Sequence, residues 1–142
     1  EWDGRREQYF LHNFLNTQPD LNLHHAPVQD ALLDVARFWL KRGVDGFRLD
    51  TINFYIADKY LRDNPSLPKE LRNDSIAPKV NPYNHQVHLF SKNQPENLEF
   101  LKKFRAVLNP YGAAAVGEVG DAQRGLEIMA EYTSGGDKVQ MC

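Results

Sequence analysis

Twice along this chain a stretch of apolar residues at helical spacing runs, within a few residues, into a short apolar strand that ends in an acid. In the first instance Val28, Leu32, Val35, Ala36, Trp39 and Leu40 fall on a helical period. Pro27 stands at the entrance, Lys41 and Arg42 in the last turn, and Gly43 just past the end. A strand over 44–50 follows and closes on Asp50. In the second, a helix over 97–108 carries Leu98, Leu101, Phe104, Val107 and Leu108, and a strand over 113–118 closes on Glu118. A third helix over 125–132, a turn at Ser134-Gly-Gly-Asp137 and the beginning of a third strand over 138–142 continue the series. Alternation of this kind places the strands parallel, with right-handed crossovers, so the predicted class is α/β.

The sheet is either open or closed into a barrel. An eight-stranded barrel takes about 250 residues, so a chain of 142 residues holds only part of one. Two further features predict a piece of a longer protein: the chain has no initiator Met, and it stops inside the apolar-alternating run Lys138-Val-Gln-Met-Cys142. Residues 8–14, rich in aromatics, read as an additional strand, and Gln18-Pro-Asp-Leu-Asn22 as an extended link. Of Tyr9, Phe10, Phe14, Phe54 and Tyr55, all but Phe14 are expected in the core. The connection from Asp50 to the second helix is long and carries Pro65, Pro68, Pro78, Pro82 and Pro95. Long loops at the carboxyl ends of parallel strands commonly build active sites.

Composition narrows the partners. Seventeen basic and 19 acidic residues leave a net charge of -2 with no basic run, so neither nucleic acid nor a membrane surface is an expected partner. No stretch is long and apolar enough to span a bilayer. The single cysteine, Cys142, excludes an internal disulfide, and a cytoplasmic location is the expectation. His24 with His25, and His85 with His88, lack a third ligand at a recognised zinc spacing, so they read as loop histidines. Lys102, Lys103 and Arg105 read as the solvated face of their helix. No metal and no cofactor are expected.

The chemistry rests on the two strand-end acids. Cleaving a glycosidic bond with retention takes one carboxylate as nucleophile and one carboxylic acid as proton donor, about 5 to 5.5 Å apart. Asp50 and Glu118 at neighbouring strand ends suit that geometry. Arg48 lies two residues before Asp50 on the same strand face and would hold it ionised. Glu118, between Gly117 and Gly120 with Val116 and Val119 beside it, is expected in a less polar setting that favours the protonated acid. From spacing alone, the reading in which each acid only caps a helix or pairs with a base stays open.

Gly46-Phe-Arg-Leu-Asp50-Thr-Ile-Asn53 and Gly117-Glu-Val-Gly120 resemble the motifs at the fourth and fifth barrel strands of the α-amylase family of glycoside hydrolases. Gln18-Pro-Asp-Leu-Asn22 resembles the further motif of its oligo-1,6-glucosidase and α-glucosidase branch. The three occur in the family's order and cover essentially the whole chain. The resemblance implies a partial (β/α)₈ TIM barrel, about strands four to six. Residues 1–17 would end a small inserted domain, and 18–142 would form the central part of the catalytic barrel.

By the same resemblance Asp50 is the nucleophile, Glu118 the general acid and base, and Arg48 a binder of the nucleophile and the sugar ring. Phe14 is an aromatic wall against the non-reducing glucose. Thr51 stands where relatives preferring α-1,4 bonds carry Ala or Thr, and those preferring α-1,6 bonds carry Val. The implied activity is that of a retaining, exo-acting α-glucosidase on maltose-like oligosaccharides or sucrose, with transglucosylation as a side path. Two departures stand out. Leu23-His-His-Ala-Pro27 replaces the usual continuation of the third motif, and the family's third acid, together with an Asp and His set from earlier strands, lies outside the chain, which alone is expected to be inactive. The stretch Asn53-Phe-Tyr-Ile56 offers little oxygen for the calcium of amylases proper. Two rivals remain: a non-catalytic superfamily member such as an amino-acid transporter heavy chain ectodomain, which the presence of both acids disfavours, and a nucleotide-binding α/β module, for which the glycine fingerprint is missing.

Overall fold

The computed structural model describes residues 1–72, 78 and 80–142. Its centre is a parallel pair, β3 (Gly46–Leu49) and β4 (Ala114–Gly117), with Arg48 opposite Val116 and Leu49 opposite Gly117. An isolated parallel bridge from Val116 to Met141 adds the start of the expected third strand on the far side of β4. Helix α1 (Ala26–Leu40) precedes β3, α2 (Glu96–Leu108) precedes β4, and α3 (Gly125–Thr133) follows it. The alternation read from the sequence is therefore present, with strands shorter than expected at both ends.

Both helix-to-strand turns are made by glycine. Gly43 has φ +90° and Gly112 φ +62°, a left-handed conformation that ends a helix without a Cβ penalty. The core lies between the helices and one face of the sheet: Leu33, Ala36 and Leu40 of α1, Phe100, Leu101, Phe104 and Leu108 of α2, Ile128 and Tyr132 of α3, and Ala115 of β4 are buried. Phe47 meets Phe104 edge to face at 5.8 Å. The opposite sheet face, bearing Arg48 and Val116, is open.

The start of the pair leaves no space for a side chain at Gly46. A Cβ at Gly46 would stand 2.5 Å from the Ala114 carbonyl oxygen, and that oxygen belongs to the partner backbone, which cannot yield without breaking register. Gly46→Ala in the full-length protein is expected to cost about 1–3 kcal/mol, read as a lowered Tm.

Four expectations need correction. The aromatic segment 8–14 is a strand only at β2 (Gln8–Tyr9), which pairs antiparallel with β1 (Trp2–Asp3). After Phe10 the chain has no further partner strand among the described residues, and it turns to Asp20, whose N–H donates to the Leu11 carbonyl. Tyr9, expected in the core, is instead exposed against Trp2. On α1 the buried face is Leu33, Ala36 and Leu40, while Val35 and Trp39 are exposed; the apolar stripe is wider than the surface α1 shares with α2. The cations of α2 are not simply solvated: Lys103 donates to Gln29 of α1, and Arg105 donates to the Lys138 carbonyl. They staple elements together. The long connection after Asp50 contains short 3₁₀ turns at Ile52–Phe54, Lys69–Leu71 and Pro82–His85, and its residues 73–77 and 79 lie outside those described.

Candidate active site

The carboxyl ends of β3 and β4 are knitted together past the last strand residues. The Glu118 N–H donates to the Leu49 carbonyl at 2.9 Å, and the Glu118 carbonyl accepts from the Ile52 N–H at 2.9 Å. The backbone of Glu118 thus straddles Asp50. To bring the Ile52 N–H back, the chain must reverse immediately after Asp50, and Thr51 does so with φ +38° and ψ +52°. A β-branched residue in this left-handed region costs about 1–3 kcal/mol. The compensation is a fixed separation between the two acid-bearing positions.

Arg48 joins the acids. Its Nη1 donates to Asp50 Oδ1, and its Nη2 donates to Glu118 Oε2 at 2.6 Å. The Thr51 N–H also points at Glu118 Oε2, at 3.4 Å. One planar guanidinium therefore spans both carboxylates, at the same end of the sheet. This changes the expected environment of Glu118: its side chain is 46% exposed and ion-paired, not set in a less polar pocket. The flanking valines do not enclose it, because Val116 lies on the open sheet face and Gly117 and Gly120 have no side chains.

A cleft of about 580 Å³ opens beside Asp50, bordered by Thr51, Phe14, Tyr55 and the segment Gln18–Leu21. Asp50 lines the cleft, and Arg48 and Glu118 do not. Phe14 sits in a bend, not on a strand, and its ring meets Phe54 at 5.4 Å. Gln18–Leu21, part of the stretch read from the sequence as a link, forms part of the cleft wall. Asp20 accepts from the Asn13 amide at 2.6 Å, and burial pushes its carboxyl above the usual range in spite of that bond. Tyr55, expected in the core, packs edge to face on Phe100 and also lines the cleft. Burial, reinforced by the Asp50 charge and partly opposed by Arg48, pushes its hydroxyl up to about 12, so it remains a neutral hydrogen-bonding group.

Behind the acids lies a polar network the sequence reading did not single out. Asn53 is fully buried. Its Oδ1 accepts from the Gly120 N–H at 2.9 Å, and its Nδ2 donates to Asn93 Oδ1 at 2.8 Å and to the Gly120 carbonyl at 3.3 Å. Lys92 donates to the same carbonyl at 3.0 Å and pairs with Asp121 at 3.1 Å. Burial alone would raise the Asp121 carboxyl, but the Arg124 N–H, the Asn93 amide and Lys92 outweigh it and hold the group down at about 2. The one signal in the sequence was a polar residue inside the apolar run Ile52-Asn-Phe-Tyr-Ile56, which must find partners if buried.

His24 and His88 have structural partners. His24 donates to the Ala57 carbonyl at 2.7 Å, which seats the departing segment after the third motif. His88 bonds the Tyr83 carbonyl and the Ser91 hydroxyl, and burial lowers its pKa below the usual histidine value. Among the described residues no three His, Cys, Asp or Glu side chains gather around a common point. No helix among them is long and apolar enough to cross a membrane.

Comparison with known proteins gives concordant results. The chain is 71% identical over 143 residues to the "Probable alpha-glucosidase" of Rhizobium meliloti (strain 1021), covering 100% of this chain and 26% of the relative. It is 34% identical over 110 residues to the amino acid transporter heavy chain SLC3A1 of Homo sapiens, covering 78% of this chain and 16% of the relative. The crystal structure of the alpha-glucosyl transfer enzyme XgtA superposes with a TM-score of 0.90 at 52% identity, over 99% of this chain and 26% of that one. The chain thus spans about a quarter of the first relative's length. The family model described as "Alpha amylase, catalytic domain" matches residues 1–141, and the chain belongs to that family.

Proposed function

We propose that this chain is the acid-bearing segment of a retaining α-glucosidase. The observation that carries the reading is the bridging of Asp50 and Glu118 by one guanidinium at adjacent parallel strand ends, beside a cleft with an aromatic wall. Asp50 attacks the anomeric carbon and Glu118 gives its proton to the departing oxygen. A glycosyl ester on Asp50 results. Glu118 then takes a proton from the incoming water, which releases glucose and restores both groups.

Phe14 stacks on the non-reducing glucose, whose ring is closed off from further sugar, so cleavage is terminal. Thr51 at the rim favours α-1,4 over α-1,6 linkages, and the substrates are maltose-like oligosaccharides or sucrose. When a sugar hydroxyl replaces water in the second step, glucose is transferred instead. The name of the structural relative, an alpha-glucosyl transfer enzyme, supports that path.

The activity belongs to the longer protein, which supplies the third acid. Residues 1–17 end its small inserted domain and 18–142 form barrel strands about four to six. The protein works on neutral oligosaccharides in the cytoplasm, without cofactor or metal. The similarity to a transporter heavy chain supports a second, non-catalytic reading, but the intact Asp50, Arg48 and Glu118 constellation favours the enzyme. Proton NMR of the full-length protein hydrolysing an α-glucoside tests the reading. Retention predicts α-glucose as the first product; β-glucose at early times would exclude the ester on Asp50.

A further inference from the structure

We propose that Asn53 is a positioning residue that sets the direction of the Glu118 carboxyl, an inference that rests on the proposed role of Glu118 as proton donor. The strand ends at Gly117, and beyond it the ladder no longer fixes the chain. Glu118 is held at its own N–H and carbonyl by Leu49 and Ile52. Those bonds leave the outgoing chain free to pivot, unless the next peptides are also tied. Asn53 ties them. Its amide grips both polar groups of Gly120, accepting from the N–H and donating to the carbonyl. A two-point grip of this kind fixes orientation as well as position.

The grip is itself held. The Asn53 carbonyl accepts from the Asn93 N–H at 2.8 Å, its Nδ2 bonds Asn93 Oδ1, and Lys92 adds a second donor to the Gly120 carbonyl. A Cβ at Gly120 would stand 3.1 Å from the Phe54 ring, tighter than an ordinary contact. Asn53 belongs to the segment that carries Asp50, and Gly120 to the segment that carries Glu118. The clamp therefore transmits the placement of one acid to the other, from a position that touches neither. A side chain aimed by its backbone in this way is sensitive to small shifts: misplacement by about 1 Å can cost about 10²-fold in rate.

Leaving-group dependence separates this role from a contribution to folding. In the full-length protein, kcat/KM for phenyl α-glucoside, whose leaving group needs a proton, is compared with that for 2,4-dinitrophenyl α-glucoside, whose leaving group does not. Asn53→Ala is expected to lower the first by about 10²-fold and the second by no more than about threefold. Lys92→Met, which removes the outer donor to Gly120 together with the ion pair to Asp121, is expected to move the ratio in the same direction by a smaller factor. It serves as the test if Asn53→Ala does not fold. Equal losses on both substrates, or no loss in either variant, would overturn the proposal. Glu118→Gln is the control: it must itself show the selective loss. If it does not, the role of Glu118 fails; if it does while the Asn53 and Lys92 variants do not, only the positioning role fails.

Discussion

Asp50→Asn in the full-length protein is expected to lower kcat for 4-nitrophenyl α-glucoside by about 10⁴-fold or more, the scale seen when a covalent nucleophile is removed. The amide is nearly the same size as the carboxylate, and its oxygen still accepts from Arg48. The side chain is 71% exposed, so its replacement is expected to change stability by no more than about 0.5 kcal/mol. Loss of turnover with an unchanged Tm therefore reports chemistry and not folding. The nitrophenolate leaving group needs little protonation, so a matching loss in kcat/KM, which ends with its departure and excludes the water step, cannot be assigned to a disturbed Glu118. Near-normal turnover would remove Asp50 from the nucleophile's role.

The parallel architecture was legible because each helix carries its own boundary signals. Pro27 and Gly43 bracket α1 within the reach of local rules; Gly112, which closes the helical stretch before β4, obeys the same rule but was not read from the sequence. The candidate acids were legible for the same reason, as polar ends to apolar runs. What local rules missed depends on contacts distant in sequence. The reversal at Thr51 has no sequence mark, since a threonine is a poor choice for positive φ; it is imposed by the Ile52 bond to Glu118. The shortness of β2 follows from its two-residue partner, and the wall made by Gln18–Leu21 depends on how that segment meets Tyr55 and Phe14. Arg48 was paired with Asp50 from its spacing in one strand. Its second bond, to Glu118, required the register that puts Arg48 beside Val116.

That second bond underlies the other large effect expected. In the retaining reaction we propose, the two acids together carry one negative charge at each stage: on Asp50 before attack, and on Glu118 once the ester has formed and the proton has left. A cation touching only one of them would have to move, or would stabilise one stage at the expense of the other. Arg48 touches both through separate nitrogens, so under the proposed mechanism the charge would pass from one carboxylate to the other within a single fixed field. Lysine offers one point charge in place of the planar fork and cannot hold both geometries. Arg48→Lys in the full-length protein is therefore expected to lower kcat/KM on aryl α-glucosides by about 10²- to 10³-fold, and Arg48→Met by more. The side chain is 57% exposed, so the Tm is expected to stay within a few degrees of the parent. If the lysine variant keeps parental kcat/KM, charge alone suffices, and the bridging geometry has no part in the rate.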